Sequence, residues 1–316
     1  MGCGGSRLLP LLSAALATVA LLSFVTPARA DGPLALVAPG VCRQPARPSC
    51  EPLGPAWKVV YVVGDLDYGG WITQLRIDQA HADAEALRAL GMEVVELTPP
   101  DNSWEAIKSA ALEANVLIYT GHGWRWDDRR TLGGGLYLGP DEAIHPDKVR
   151  DELRLRPNAI VILNHACYSA GYSSEDWGII SLEEAQRRVA LYSLPFLQAG
   201  FAAYYADNWP GAPAELLRSL AKGQSLEQAF ESQPAFSPDI AVQAEHPGMS
   251  GFTMWTSPDY WGGVPYYNHA FVGLPPITAF DLFSLPANSF AGGATLPSPS
   301  FFGRAMPVAS PLLPEN

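Results

Sequence analysis

Two residues of this chain are of the types and in the settings that thiol chemistry requires. Cys167 follows the apolar run Ala159-Ile-Val-Ile-Leu-Asn-His-Ala, and His122 stands between Gly121 and Gly123 after Asn115-Val-Leu-Ile-Tyr-Thr. A thiol is only a few per cent ionised near neutral pH, so it needs a neighbouring base before it can attack anything. An imidazole can take that proton and later return it to a leaving group. Cysteine usage agrees with a special role for Cys167. Cys3 lies in a leader-like segment, and Cys42 and Cys50 bracket a Pro-rich loop whose ends can close as a disulfide in an oxidising compartment. The remaining thiol is either an inert core residue or a reactive one.

The elements that would carry these residues are short runs of branched apolar residues bounded by turn formers, the pattern of strands buried on both faces. Trp57–Gly64, Met92–Leu97, Asn115–Thr120, Ala159–Asn164 and Gly200–Ala206 fit this pattern. Between them, Trp71–Leu90, Trp104–Ala114, Pro146–Leu155, Ser181–Tyr192, Ala212–Lys222 and Ser225–Phe230 carry helical spacing. Gly91 is placed to stop the first helix, and Asp101 or Ser103 to cap the second. A hairpin is expected around Gly133–Leu138. Strands alternating with helices imply an α/β fold with a mostly parallel, doubly wound sheet. Cys167 and His122 then fall at carboxyl ends of strands, where open α/β sheets place their ligands.

The flanks read differently. Arg7, the apolar run Leu8–Val25 and Ala28-Arg29-Ala30 predict a signal peptide over residues 1–30, with a mature chain beginning at Asp31. The start Met1-Gly-Cys-Gly-Gly-Ser6 also fits acylation, and the apolar run approaches the length of an anchor, so membrane attachment is expected only if this segment is retained. Export, to the cell envelope or outside, is the favoured reading. Residues 31–56 read as a Pro-rich linker, 57–232 as the main domain, 233–275 as an aromatic-rich segment packed on it, and 276–316 as a flexible low-complexity tail. The net charge of −12 argues against nucleic acid or an anionic membrane as the main partner.

With these residues in view, the chain resembles the caspase–gingipain–clostripain group of cysteine peptidases, which includes the metacaspases and CHAT domains. The likeness rests on an apolar strand ending in Gly121-His122-Gly123 and a second ending in Ala166-Cys167. Forty-five residues separate His122 from Cys167, against about 50 in caspases. It extends over Ile77–Val95, with Asp78, Ala84, Leu87, Leu90-Gly91 and Val94, and over Ala199–Tyr204 and Gly223–Phe230, so that it covers roughly Trp57 to Phe230. The resemblance implies a caspase-like three-layer sandwich and a Cys-His dyad, with Cys167 as nucleophile and His122 as general base. It also implies an oxyanion hole from the backbone N–H groups of Gly123 and Cys167, a protein or peptide substrate, and a thioester acyl-enzyme.

The resemblance places His165 in the primary specificity pocket, where members that cleave after Arg or Lys often carry aspartate. A basic primary residue would then need another acid, for which Asp127, Asp128, Glu175 and Asp176 are candidates. Calcium is required by some relatives, but no ligand spacing here defines a site, so no cofactor is expected. Two other readings compete. Cys167-Tyr-Ser-Ala-Gly171 differs by one residue from the G-x-S-x-G elbow, which would make Ser169 an esterase nucleophile served by His246 or His269. Alternatively, the chain is a non-catalytic surface protein binding through Trp255, Tyr260, Trp261, Tyr266 and Tyr267.

Overall fold

The computed structural model describes residues 57–124, 133–176, 178–261 and 264–286. The expected signal peptide, the linker with Cys42 and Cys50, the acids Asp127 and Asp128, and residues 287–316 lie outside them.

In chain order the elements are β1 (Lys58–Val63), α1 (Trp71–Ala89), β2 (Glu93–Leu97), α2 (Trp104–Ala111), β3 (Val116–Thr120), β4 (Gly123–Trp124), β5 (Gly135–Gly139), β6 (Glu142–Ile144), α3 (Pro146–Glu152), β7 (Ile160–Asn164), α4 (Leu182–Gln198), β8 (Ala203–Asp207), α5 (Ala212–Ala221), α6 (Leu226–Glu231), β9 (Val242–Glu245), β10 (Thr253–Trp261), β11 (Val264–Gly273) and α7 (Ala279–Ser284). An eight-stranded sheet runs β2-β1-β3-β7-β8-β11-β10-β9. Its first five strands are parallel, and β11, β10 and β9 continue it antiparallel. A small sheet, β4-β5-β6, stands beside it.

Alternation along the strands divides the core in two. Val60, Val62, Leu117, Tyr119, Val161 and Leu163 face one way and pack with residues of α2, α3 and α4. Val59, Tyr61, Val116, Ile118, Ile160 and Ile162 face the other way and pack with residues of α1, α5, α6 and α7. The result is the expected three-layer α/β sandwich with a mostly parallel sheet. Helix starts follow the capping chemistry: the Ser103 hydroxyl accepts Ala106 N–H, Ser181 accepts Glu184 N–H, and Ser225 with Gln228 closes a capping box. Gly91, at φ 87°, ends α1.

Two expected boundaries change. The stretch 233–275 is not packed on the domain as a separate segment. It supplies β9, β10 and β11 to the main sheet, with β11 hydrogen-bonded to β8 over Ala203–Asp207. The physical reason is edge satisfaction, since β8 would otherwise present unpaired backbone groups. The stretch read as a tail from residue 276 contains α7, whose Ala279 and Leu282 are fully buried in the second core layer.

Candidate active site

β3 and β7 are neighbours in register, with Val116 opposite Ile160 and Thr120 opposite Asn164. Their carboxyl ends therefore leave the sheet at the same level. His122 lies two residues beyond one end and Cys167 three residues beyond the other. The two chain ends meet at Gly123. A Cβ there would lie 2.5 Å from the Cys167 nitrogen and closer still to its carbonyl oxygen. No other residue fits, so the glycine serves contact between backbones. Gly121 has a different reason, because a Cβ there would collide with the Tyr119 hydroxyl. That hydroxyl lies 2.8 Å from the carbonyl oxygens of both His122 and Tyr137 and accepts Tyr137 N–H, so it fixes the backbone beneath the histidine.

The turn that follows β7 is held in an unusual conformation. His165 and Tyr168, at φ 58° and 68°, bracket Cys167 in the left-handed region, and Gly171 follows at φ 115°. Positive φ in a non-glycine residue is uncommon and requires support from its surroundings. Here Ser169 N–H donates to Ala166 O, Gly171 N–H to Tyr168 O, Tyr168 N–H to Tyr172 O and Tyr172 N–H to Tyr267 O. Arg188 of α4 adds a clamp: it donates to Gly171 O, pairs with both carboxylate oxygens of Asp176 at 2.8 Å, and lies over the Tyr168 ring. Burial works against the Arg188 charge, but its bonds to Asp176 and Glu184 hold its pKa above the ordinary value.

His122 is oriented from the β1–α1 loop. Its Nε2 lies 2.9 Å from Leu66 O. A carbonyl oxygen only accepts, so Nε2 carries the proton and Nδ1 holds the lone pair of the neutral ring. Thr73 supports this loop: its hydroxyl accepts Leu66 N–H and contacts the carboxylates of Asp65 and Asp67. Asp67 in turn accepts the N–H groups of Ile72 and Thr73 at the start of α1. Desolvation pushes the Asp67 pKa up, but its hydrogen bonds from Thr73 and Ile72 outweigh it and hold the carboxyl below its usual range. The Cys167 thiol is half-buried, with Sγ 3.8 Å from the Ser174 hydroxyl.

A cavity of about 220 Å³ opens beside Cys167, lined in part by Arg76, His165, Asp207, Asn208 and Asn268. His165, expected in a primary specificity pocket, is one of the residues lining this cavity. Its Nδ1 lies 2.9 Å from Asn208 Oδ1, and its backbone N–H donates to Asp207 O. Burial, aided by the nearby Arg76 charge and only partly offset by Asn208, lowers its pKa to about 4. Of the acids expected to serve a basic substrate residue, the two among the described residues, Glu175 and Asp176, are engaged elsewhere. Glu175 accepts the Tyr168 hydroxyl, and Asp176 pairs with Arg188. The pocket holds a different acid, Asp207, with Oδ1 accepting Trp209 N–H at 2.6 Å and Oδ2 3.3 Å from His269 Nε2. Burial raises Asp207 to about 7 and lowers His269 to about 3.

Sequence reading missed Arg76, Asp207, Asn208 and Asn268. Arg76 looked like one position of an amphipathic helix, and nothing local marks it. Asp207-Asn208 had a usable signal, since it ends the next parallel strand, β8, at the same sheet edge as His122 and Cys167. The serine constellation is not assembled. Ser169 is 1% exposed and donates to Ala166 O at 2.6 Å. His246 is held by Ser193, Ala190 and Gly248, and His269 by Asp207 and the Phe230 ring. In the aromatic segment the half-buried Trp255 donates to Glu227 and packs on Phe236, the half-buried Tyr266 meets Tyr172 edge-on, and Tyr260 is exposed. Among the described residues, no group of three or more His, Cys, Asp or Glu side chains could hold a metal ion, and no helix is long and apolar enough to cross a membrane.

Comparison with known proteins gives little. No family model matches the sequence, and no curated protein matches it. Among solved structures, the Arg-specific cysteine proteinase gingipain R is similar over 71% of this chain and 62% of that one, at 12% identity and a TM-score of 0.33. The chain thus spans less than two thirds of that protein's length, and a likeness this slight carries no weight for activity.

Proposed function

We propose that this protein is a cysteine endopeptidase acting through a Cys167–His122 dyad. The observation that carries the reading is the contact of Gly123 with the Cys167 backbone, which joins the two strand ends at one point of the sheet edge. In the reaction, His122 Nδ1 takes the thiol proton and the Cys167 thiolate attacks the scissile carbonyl carbon. The backbone N–H groups of Gly123 and Cys167 hold the developing oxyanion. The carbon–nitrogen bond then breaks, His122 gives its proton to the departing amine, and a thioester remains. Water, deprotonated by the same ring, releases the acid and restores the thiol. No step is routed through a metal ion. The substrate is a protein or peptide, and the leader-like segment 1–30 supports action outside the cytoplasm.

The test is hydrolysis of a peptide library by the purified mature chain and its variants. Cys167→Ala and His122→Ala are expected to lower turnover by on the order of 10³-fold or more. Ser169→Ala is expected to retain it. Hydrolysis that survives Cys167→Ala but is abolished by Ser169→Ala would overturn the proposal.

A further inference from the structure

The cavity beside Cys167 brings together polar atoms that have no partner among the described residues. Arg76 Nε, His165 Nε2 and Asn268 Oδ1 are each shielded from water and unsatisfied, and all three residues line this cavity. They come from three separate elements: α1, the turn after β7, and β11. Unsatisfied buried polar groups are rare and costly. Three in one pocket next to a nucleophile point to a group that satisfies them when it enters.

Their chemistry specifies that group. Arg76 is a donor, and its one hydrogen bond to a described residue goes to Gln79 Oε1 from Nη1. It forms no ion pair among the described residues. His165 is an acceptor at Nε2, because Nδ1 faces Asn208 Oδ1 and must donate to it. Asn268 Oδ1 is a second acceptor. A lysine or arginine side chain would bring a cation against Arg76, and the acid that lines the pocket is already committed to Trp209 N–H and His269. A carboxylate would suit Arg76 but would set its second oxygen against the lone pairs of His165 and Asn268, with the Asp207 carboxyl behind. A carboxamide matches both halves: its oxygen accepts from Arg76, and its NH₂ donates to His165 Nε2 and Asn268 Oδ1.

We infer that this cavity is the primary specificity pocket and that it selects a carboxamide side chain, so that the enzyme cleaves after asparagine or glutamine. This rests on the peptidase reading above. The test uses irreversible peptidyl ketone probes that differ only at the primary residue (Asn, Gln, Asp, Arg or Ala), with labelling of Cys167 followed by mass spectrometry. Asn or Gln is expected to label on the order of 10⁴-fold faster than Ala, the scale on which a site built to hydrogen-bond a substrate group rejects an analogue lacking it. Arg76→Gln and Asn268→Leu, on different elements and checked for folding by thermal melting, are each expected to reduce the amide-to-Ala ratio by about tenfold or more. Faster labelling by the Asp or Arg probe, or an unchanged ratio in both variants, would overturn the carboxamide assignment while leaving the dyad intact. Labelling of Cys167 by no probe would overturn the peptidase reading, and this assignment with it.

Discussion

At the scale of single residues, the site depends on one missing methyl group. Gly123 is glycine because the Cys167 backbone occupies the space a Cβ would need. The neighbour here is main chain at the end of a buried strand, so it cannot swing aside as a flexible side chain would. Gly123→Ala is therefore expected to destabilise the fold by about 1–3 kcal/mol, as overpacking does. Peptide turnover should fall by far more than that stability loss explains, because the shift displaces both proposed oxyanion donors. Gly121→Ala provides the contrast. Its collision is with the Tyr119 hydroxyl, so it should cost comparable stability with a smaller loss of turnover. Thermal melting read beside turnover separates the two, and equal losses of turnover would argue against an oxyanion role for Gly123.

At the scale of elements, two helices hold the site from opposite faces of the sheet. The start of α1 holds Leu66 O against His122, and Thr73 is the residue through which that support passes. Thr73→Val removes the hydroxyl and leaves Leu66 N–H without its acceptor, an expected loss of about 1–3 kcal/mol. If Thr73 only stabilises the fold, turnover of the folded fraction stays constant. If it positions His122, turnover falls and Thr73→Ser restores it. On the other face, Arg188 of α4 pins the turn after Cys167, and it and Asp176 are 12% and 8% exposed. Arg188→Met would leave the Asp176 charge buried and unpaired, so a loss of about 3–5 kcal/mol in chemical denaturation is expected. The strands carrying His122 and Cys167 could be read from sequence because they are buried on both faces and need uninterrupted apolar runs. Arg76 and Asn268 could not, because isolated polar residues acquire meaning only from neighbours that the fold supplies.

At the scale of the molecule, the same logic explains why the domain was read too short. β9 to β11 form one edge of the sheet, where aromatic and polar residues alternate with apolar ones and the signal of a buried strand is diluted. They nonetheless complete the site, since β11 brings Asn268 to the cavity and His269 to Asp207. This junction gives the protein a pH dependence with a definite sign. His165, His246 and His269 have folded pKa values lowered to about 4, 4 and 3, so the stability they contribute is present above their ordinary value of 6.5 and is lost as pH falls. Asp83 and Asp207 are raised from 3.8 to about 6 and about 7, so their contribution is present at low pH and is lost as pH rises through those values. Between roughly pH 4 and pH 6.5 the two sets oppose each other. The unfolded histidines finish releasing their protons only about a unit above 6.5, so up to about pH 7.5 they offset the loss from Asp207. The Asp207 contribution by itself should fall by about 1 kcal/mol from about pH 6.5 to about pH 8. Asp207→Asn, which cannot ionise, should remove that loss, so the difference between the native and variant stability curves should change by about 1 kcal/mol over this segment, and urea denaturation at several pH values would measure it. An equal slope in the variant would mean that Asp207 is already ionised in the fold, and that His269 donates its Nε2 proton to a buried carboxylate at the back of the pocket.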